Sequence, residues 1–209
     1  MLERIKNIIV VNYKWLICFI CLILFLALAE DVFNNEIMNG DIIGYKFISK
    51  YLINNSLTPI IKFITFLGSA VWLIALTTIL FVAVKNKKTG YLIAINLVLV
   101  TVLNQTFKFI LQRPRPTEYR VVNETGYSFP SGHSMISMAF YGFLIYLIYK
   151  NIKNKYLKFT LIGLLSFLIV SIGISRIYLG VHYTSDVLGG FLVSISYLIL
   201  YIGLINKLG

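Results

Sequence analysis

The stretch FTLIGLLSFLIVSIGISRIYLGVHYTSD, residues 159–186, decides the fold of this chain. Its first part, Phe159–Ile174, contains no charged residue and is apolar enough to form a membrane-spanning helix. Its second part follows without a break and contains Arg176, His182 and Asp186. Ionisable side chains beside a span are costly and usually mark function, so the stretch predicts a helical membrane protein with polar chemistry at a span end.

The composition of the whole chain indicates the same class. Of the 209 residues, 58% are hydrophobic and 13% are charged, and the mean hydropathy is +0.83. These values lie far from those of soluble domains. A spanning helix needs roughly 20 apolar residues, so the chain can hold about six spans joined by short connections. We therefore predict an all-α integral membrane protein, a single six-span domain over residues 1–209. The predicted spans are Ile8–Ala29, Ile60–Val84, Tyr91–Leu111, Ser131–Tyr149, Phe159–Ile174 and Val187–Ile205.

The positive charges orient these spans. Lysine and arginine in short connections favour the cytoplasmic side. They collect at alternate span ends: Arg4, Lys6, Lys14, Lys85, Lys87, Lys88, Lys150, Lys153, Lys155, Lys158 and Lys207. Both termini are therefore expected to be cytoplasmic in a multi-pass plasma-membrane protein, and every acidic residue except Glu3 falls on the other side. The net charge of +11 is thus mostly an inner-surface anchor, which argues against nucleic-acid binding.

A short amphipathic segment separates spans one and two. Its apolar residues recur at helical spacing, with Lys46 and Lys50 beside them: Ile43, Phe47, Ile48, Tyr51 and Leu52. This pattern predicts a short helix that lies on the outer membrane surface. Such a helix could shape an entrance for lipid or serve only as an interfacial connector.

The first span allows a second interpretation. It ends in Ala27-Leu28-Ala29 after a basic start, which is also the pattern of a cleaved signal peptide. We expect an uncleaved helix, because the apolar run extends back to Ile8 and five more predicted spans follow it. The expected site is the same in either case.

Three polar clusters converge on one side of the predicted bundle. Lys108 and Arg115 close span three, Ser131 and His133 open span four, and Arg176, His182 and Asp186 join span five to span six. All three clusters fall on the predicted outer face, where loops that are distant in sequence can build one site. A pocket that combines three cations, both histidines of the chain and a carboxylate is suited to handling a phosphate.

The spacing within the clusters supports an anion site. Lys108 precedes Arg115 by about two helical turns, and prolines on both sides of Arg115 prevent the helix from continuing. Ser131 and Gly132 begin a helix whose free N–H groups and dipole favour a phosphate. His182 and Asp186 are four residues apart, so the carboxylate can orient one imidazole nitrogen while the other faces substrate.

Two other interpretations concern the same ionisable residues and their neighbours. A metal site built from His133, His182 and Asp186 is disfavoured, because the three neighbouring cations would repel a divalent ion. The remaining charges of the connecting loops are interpreted as solvated side chains: Arg113, Arg120, Glu118 and Glu124.

The clusters also resemble the three signature motifs of a known family, the type 2 phosphatidic acid phosphatase superfamily. The matching residues are Lys108-x6-Arg115-Pro116, Pro130-Ser131-Gly132-His133 and Ser175-Arg176-x5-His182-x3-Asp186. Three linked motifs with fixed internal spacing are far more specific than any one of them. The superfamily includes soluble vanadium-dependent haloperoxidases, so the spans of this chain favour the lipid phosphatases.

The resemblance implies a role for each motif residue. His182 would be the nucleophile, Asp186 would orient it, and His133 would protonate the leaving oxygen and later activate water. The phosphate would be held by Lys108, Arg115, Ser131, Gly132 and Arg176. No metal and no cofactor is expected, because the fixed cations supply the charge stabilisation. A bell-shaped pH profile is expected, with His182 neutral and His133 protonated in the first step.

The sequence thus predicts a phosphatase that removes a terminal phosphate from an outer-leaflet lipid. Phosphatidylglycerol phosphate, undecaprenyl pyrophosphate and phosphatidic acid are the candidate substrates that the resemblance implies, and the first two are preferred. The expected partners are the lipid substrate and the bilayer, and the oligomeric state is open. A transporter or lipid-translocating protein that binds an anionic headgroup without chemistry is the alternative, but it would need no nucleophile paired with a carboxylate.

Overall fold

We analysed a computed structural model of the chain, which describes residues 2–34, 36–118 and 120–207, leaving aside the side chains of residues 2–11 and 49. The expected cytoplasmic charges of Arg4 and Lys6 therefore lie outside the described side chains. The described residues form helices and no strand. The helices are α1 (Leu2–Phe33), α2 (Asn39–Tyr51), α3 (Thr58–Phe66), α4 (Ala70–Ala83), α5 (Lys87–Leu111), α6 (Gly132–Asn151), α7 (Lys155–Tyr178) and α8 (Thr184–Lys207).

Five of these helices are long and apolar enough to cross a membrane. They are α1, α5, α6, α7 and α8, and a bent pair formed by α3 and α4 makes a sixth span if it is counted as one. The prediction of an all-helical membrane protein is confirmed. The six-span count and the cytoplasmic termini stay predictions. The largest boundary difference that matters for chemistry is at α7, which continues past Ile174 and carries Arg176 in its last turn.

The predicted second span is not one continuous helix. α3 and α4 meet at a bend of 49°, and Leu67, Gly68 and Ser69 lie between them. The break coincides with the pair Gly68-Ser69, a kind of pair at which helices commonly kink, and the Leu67 carbonyl there accepts a hydrogen bond from the Tyr141 hydroxyl at 2.6 Å. The Ser69 hydroxyl then caps the new helix by accepting from the Trp72 backbone N–H at 3.3 Å.

The short helix predicted between spans one and two is present as α2. It packs against α7 and α8 through buried residues that include Tyr45 and Ile48. Ile43, Phe47 and Tyr51 form an exposed apolar face on its other side. That face suits the predicted position on the membrane surface, which stays a prediction.

α6 is the centre of the bundle and contacts α5, α7 and α8. Its first turn is pressed closely against α8 at Gly190. A Cβ atom at Gly190 would lie 3.1 Å from both the Met135 nitrogen and the Ser131 carbonyl oxygen. The missing side chain therefore allows the start of α6 to lie beside the start of α8, and this contact brings two of the three polar clusters together.

Candidate active site

The first cluster is positioned by the abrupt end of α5. Lys108 lies in its last turn, and Gln112 ends the helix with a left-handed backbone at φ 45°. Arg115 then extends its guanidinium across the following loop. It donates to the carbonyl oxygens of Gly126 at 3.0 Å and Val181 at 2.9 Å. These bonds join the loop after α5 to the turn between α7 and α8.

One cavity of about 550 Å³ collects residues from all three clusters. The predicted site residues that line it are Lys108, Arg115, Gly132, His133 and His182. Ser131, Arg176 and Asp186 are buried next to the lining residues rather than in the lining itself. The predicted convergence of the clusters is thus present in the structure, although three of the residues are buried behind those that line the cavity.

His182 has both ring nitrogens engaged. Nδ1 lies 3.2 Å from Asp186 Oδ2, and Nε2 lies 3.0 Å from Arg115 Nη1. Arginine can only donate, so Nε2 accepts and carries the lone pair, while the proton belongs on Nδ1. The nitrogen that is available as a nucleophile is therefore the one beside the cation in the cavity.

Burial fixes the charge of this imidazole. Desolvation lowers the pKa of His182 to about 4, although Asp186 acts in the opposite direction. Because its pKa in the folded protein lies below its ordinary value, His182 is neutral from about pH 5 upward. A neutral imidazole is the form that a nucleophilic attack requires.

This neutrality can be measured directly, because the chain has only two histidines. In ¹⁵N-histidine-labelled protein, we expect the resonance pair of His182 to keep neutral, Nδ1-protonated shifts down to pH 5 and to titrate near pH 4. A His133→Gln variant assigns that signal to His182. A midpoint near the ordinary value of about 6.5 would contradict a desolvated imidazole that accepts from Arg115.

The Asp186 carboxylate is held by hydrogen bonds on both oxygens. Its Oδ2 faces His182 and also accepts hydrogen bonds from the Tyr183 backbone N–H at 2.8 Å and from the Ser128 hydroxyl. Its Oδ1 accepts from Arg113 Nη1 at 2.7 Å. Each oxygen therefore has a separate set of donors, and the carboxylate is fixed in one orientation.

The interpretation of Arg113 as a solvated loop charge is wrong. Its side chain is only 5% exposed, and it bridges Asp186 and Asp41 at 2.7 Å each. Asp41 lies on α2 and is itself 1% exposed. Asp41 was not predicted as part of the site. It is the only acidic residue of α2, and an isolated carboxylate in this amphipathic segment could have indicated a buried ion pair.

The interpretation of Glu124 as a solvated charge is also wrong. Its carboxylate accepts from Arg176 Nη2 at 2.5 Å and lies 3.9 Å from Arg115 Nη2. Burial alone would raise the pKa of Glu124, but Arg176 and Arg115 together lower it below its ordinary value. Glu118 and Arg120 have exposed side chains, as predicted.

The two terminal nitrogens of Arg176 each donate a hydrogen bond, whereas its third nitrogen, Nε, has no partner among the described residues. Nη1 donates to the Thr65 hydroxyl at 2.8 Å, and Nη2 donates to Glu124. Nε is buried and has no partner among the described residues. A buried donor without a partner is costly, so an anion that reached this nitrogen would be stabilised.

The start of α6 presents its backbone to the same cavity. The Ser131 N–H donates to the Asp186 carbonyl oxygen at 3.0 Å, and the Ser131 hydroxyl accepts from Ser134 at 3.0 Å. Gly132 lines the cavity, and a Cβ there would lie 3.1 Å from Asn104 Oδ1. The first N–H groups of the helix have no intrahelical acceptor and favour an anion.

The break between α3 and α4 contributes to the site in a way the sequence did not indicate. Gly68 lines the cavity, and a Cβ there would lie 3.3 Å from His133 Cδ2. Thr65, just before the break, supports Arg176. The bend therefore packs the second span against two predicted site residues at once.

No metal cluster occurs in the described part of the chain, residues 2–34, 36–118 and 120–207. No group of three or more His, Cys, Asp or Glu side chains is placed there to hold an ion. His133, His182 and Asp186, the disfavoured metal ligands, do not form such a group. Independence from metal stays a prediction.

Glu124 occupies two cations that would otherwise be available to a phosphate. We expect Glu124→Gln to bind inorganic phosphate or vanadate more tightly by about two- to fivefold, because the competing carboxylate charge is removed. The measurement is the inhibition constant of each anion in a detergent-solubilised assay. Glu118→Gln, which changes an exposed carboxylate of the same loop between α5 and α6, is the matched control and should change neither constant. Weaker anion binding by Glu124→Gln would mean that the carboxylate helps to build the anion site.

The chain is similar to known proteins in both sequence and structure. The sequence model of the PAP2 superfamily matches residues 88–209. The chain is 32% identical to phosphatidylglycerophosphatase B of Bacillus subtilis over 194 residues, covering 88% of this chain and 92% of the relative. It is 30% identical to an undecaprenyl-diphosphatase of Sulfolobus acidocaldarius over 131 residues, covering 59% and 58%.

Two solved structures are also similar. The PAP2-type phosphatidylglycerolphosphate phosphatase of B. subtilis superimposes with a TM-score of 0.80 at 30% identity, over 92% of this chain and 97% of that one. Aquifex aeolicus LpxE gives a TM-score of 0.64 at 23% identity, over 78% and 94%, and supports the fold alone. The family match includes every predicted site residue, and the two sequence relatives are phosphatases by name. The chain therefore belongs to the PAP2 superfamily of membrane lipid phosphatases.

Proposed function

We propose that this protein hydrolyses the terminal phosphate of an outer-leaflet lipid through a phosphohistidine on His182. The observation that carries the proposal is the placement of His182 Nε2. This nitrogen lies 3.0 Å from Arg115 Nη1 in a cavity that Lys108 and His133 also line. Asp186 accepts from the other ring nitrogen, Nδ1. A protein that only binds a headgroup could use the cations alone and would not need the pair formed by His182 and Asp186.

In the first step, His182 Nε2 gives up its hydrogen bond from Arg115 Nη1 and attacks phosphorus, and the bond from phosphorus to the lipid oxygen breaks. The leaving oxygen takes a proton from His133, which enters the step as an imidazolium, and the ring of His182 becomes positively charged. Asp186 stabilises that charge through its bond to Nδ1. Lys108, Arg115 and Arg176 stabilise the phosphate oxygens as the charge shifts. The N–H groups at the start of α6 add fixed dipoles that need no reorganisation.

In the second step, water attacks the phosphohistidine. His133, now neutral, accepts a proton from that water, and the bond between phosphorus and His182 Nε2 breaks. Inorganic phosphate leaves and both histidines return to their starting states. The two steps balance with water as the only co-reactant. We propose that no metal ion takes part, because three cations already surround the reacting group.

We propose phosphatidylglycerol phosphate as the first substrate to test. The support is the likeness to phosphatidylglycerophosphatase B, which extends over 88% of this chain and 92% of that relative. Undecaprenyl pyrophosphate is the second, because a shorter likeness joins the chain to an undecaprenyl-diphosphatase. Phosphatidic acid is the third. The outer-face position rests on the lysines, which gather at the ends of the spans opposite the cavity.

The test is phosphate release in detergent with EDTA present, using these three lipids. We expect release to continue in the chelator, and the order of kcat/KM to rank the lipids. Arg120→Gln, an exposed arginine of the loop that carries Arg115, is the matched control and should match the wild type. Activity that disappears in EDTA and returns specifically with magnesium would overturn the metal-free mechanism. No release from any lipid would make headgroup binding without chemistry the better description.

A further inference from the structure

Arg113 is a buried cation that the proposed mechanism does not use. One of its nitrogens, Nη1, donates to Asp186 Oδ1 and to the Ser185 hydroxyl, both at 2.7 Å. The other, Nη2, donates to Asp41 Oδ2 at 2.7 Å. The guanidinium also lies over the ring of Tyr183, 4.3 Å from its centroid. The side chain does not line the cavity, so it has no direct contact with a bound phosphate there.

Asp41 holds this arginine from the side of α2. Its Oδ1 accepts from the Ser185 backbone N–H, and its Oδ2 accepts from the Ser185 hydroxyl, both at 2.8 Å. Ser185 lies in the first turn of α8, so Asp41 also satisfies a free N–H of that helix and complements its dipole. The short surface helix is thereby tied to the turn that carries His182 and Asp186.

The charges of this cluster depend on one another. Asp41 and Asp186 are two carboxylates with almost no solvent contact, and the neighbouring His182 is neutral. Arg113 is the buried cation that reaches both carboxylates with separate nitrogens. Removing one partner of a buried pair leaves the other charge uncompensated, so both carboxylates would reorient without Arg113.

We propose that Arg113, anchored by Asp41, is a positioning residue of the catalytic pair. By holding Asp186 Oδ1 it keeps Oδ2 on His182 Nδ1, and this fixes both the tautomer and the direction of Nε2. The inference rests on the proposed role of His182 as nucleophile. It also makes α2, which lies outside the three motifs, part of the catalytic centre.

The inference predicts an effect on turnover rather than on phosphate binding. Removing a residue that orients a functional side chain without touching the ligand typically lowers activity by about 10- to 100-fold. We therefore expect Arg113→Gln to lower kcat by about 100-fold. Arg113→Lys should recover about tenfold of this loss, because lysine keeps the charge but cannot bond two carboxylates with separate nitrogens. KM and the inhibition constant of inorganic phosphate should stay within about threefold, since the cations of the cavity are unchanged. Asp41→Asn should resemble Arg113→Lys.

The experiment compares kcat, KM and inhibition by inorganic phosphate for wild type, Arg113→Gln, Arg113→Lys and Asp41→Asn, with Arg120→Gln as the exposed control. Gel filtration and thermal unfolding show which variants fold, and the lysine and asparagine variants carry the test if the glutamine variant does not. A loss shared equally by kcat and phosphate binding, or full activity of Arg113→Gln, would overturn the inference.

A second readout separates this inference from the proposed function. In ¹⁵N-histidine-labelled protein, Arg113→Gln should change the Nδ1-protonated signature of His182, whether or not the substrate is known. If the wild type released no phosphate, the proposed function would fail while this signature still decided the positioning role. If the wild type were active and the signature of His182 stayed unchanged in Arg113→Gln, the positioning role alone would fail.

Discussion

Replacement of His182 by glutamine should abolish phosphate release, with a loss of kcat on the order of 10⁵- to 10⁶-fold. The loss of kcat is this large because the remaining groups can stabilise charge but cannot supply the atom that attacks phosphorus. Glutamine retains a side chain of similar length and polarity at a buried position. The fold and the anion site are therefore expected to survive.

The measurement is phosphate release from phosphatidylglycerol phosphate together with binding of inorganic phosphate to the same preparation. The anion cavity keeps Lys108 and Arg115 in the variant, so inorganic phosphate should still bind. Arg120→Gln serves again as the control. If His182→Gln retained more than about 1% of the wild-type rate, the attacking group would have to be water or another residue.

Replacement of Asp186 by asparagine should lower kcat by about 10³- to 10⁴-fold while leaving the cavity intact. The loss has two physical sources. The imidazolium that forms during attack loses its counter-charge, and an amide at position 186 can donate toward Nδ1 and favour the wrong tautomer. The variant also leaves Arg113 with Asp41 as its remaining carboxylate partner.

The variant can be distinguished from a misfolded protein by its ligand binding and histidine spectrum. Asp186→Asn should bind inorganic phosphate nearly as tightly as the wild type, and its His182 resonances should move toward the Nε2-protonated tautomer. Arg113→Gln lies on the other oxygen of the same carboxylate, and its effect should not add to that of Asp186→Asn in the double variant. An Asp186→Asn protein with wild-type turnover would exclude the carboxylate from the mechanism.

The sequence predicted the helical class and the convergence of the three clusters because both depend on local patterns. Apolar runs define spans, and motifs at the same ends of neighbouring spans must lie close together. The break at Gly68 does not show in an apolar run; its local sign is the Gly68-Ser69 pair, and the Tyr141 hydroxyl that bonds the Leu67 carbonyl there is 74 residues away. Hydropathy alone shows one continuous apolar run there.

The roles of the loop charges were missed for the same reason. Arg113 and Arg115 lie two residues apart, each directly before a proline, and nothing local separates the one that faces the cavity from the one that is buried behind it. The partner that holds Arg113, Asp41, is 72 residues away in the chain. Glu124 likewise looks like an ordinary loop charge until the fold brings Arg176 to it from 52 residues away. Tertiary ion pairs of this kind have no signature in sequence spacing.

The central claim is that a phosphoryl group becomes attached to His182. The most direct measurement is to mix the wild-type enzyme with lipid labelled with ³²P in its terminal phosphate, quench in alkali within the first turnovers, and locate the label by mass spectrometry. Alkali is used because phosphohistidine survives it and is destroyed by acid. We predict label on Nε2 of His182 and none in His182→Gln. Label on another residue, or active wild-type enzyme that never carries label, would contradict the claim.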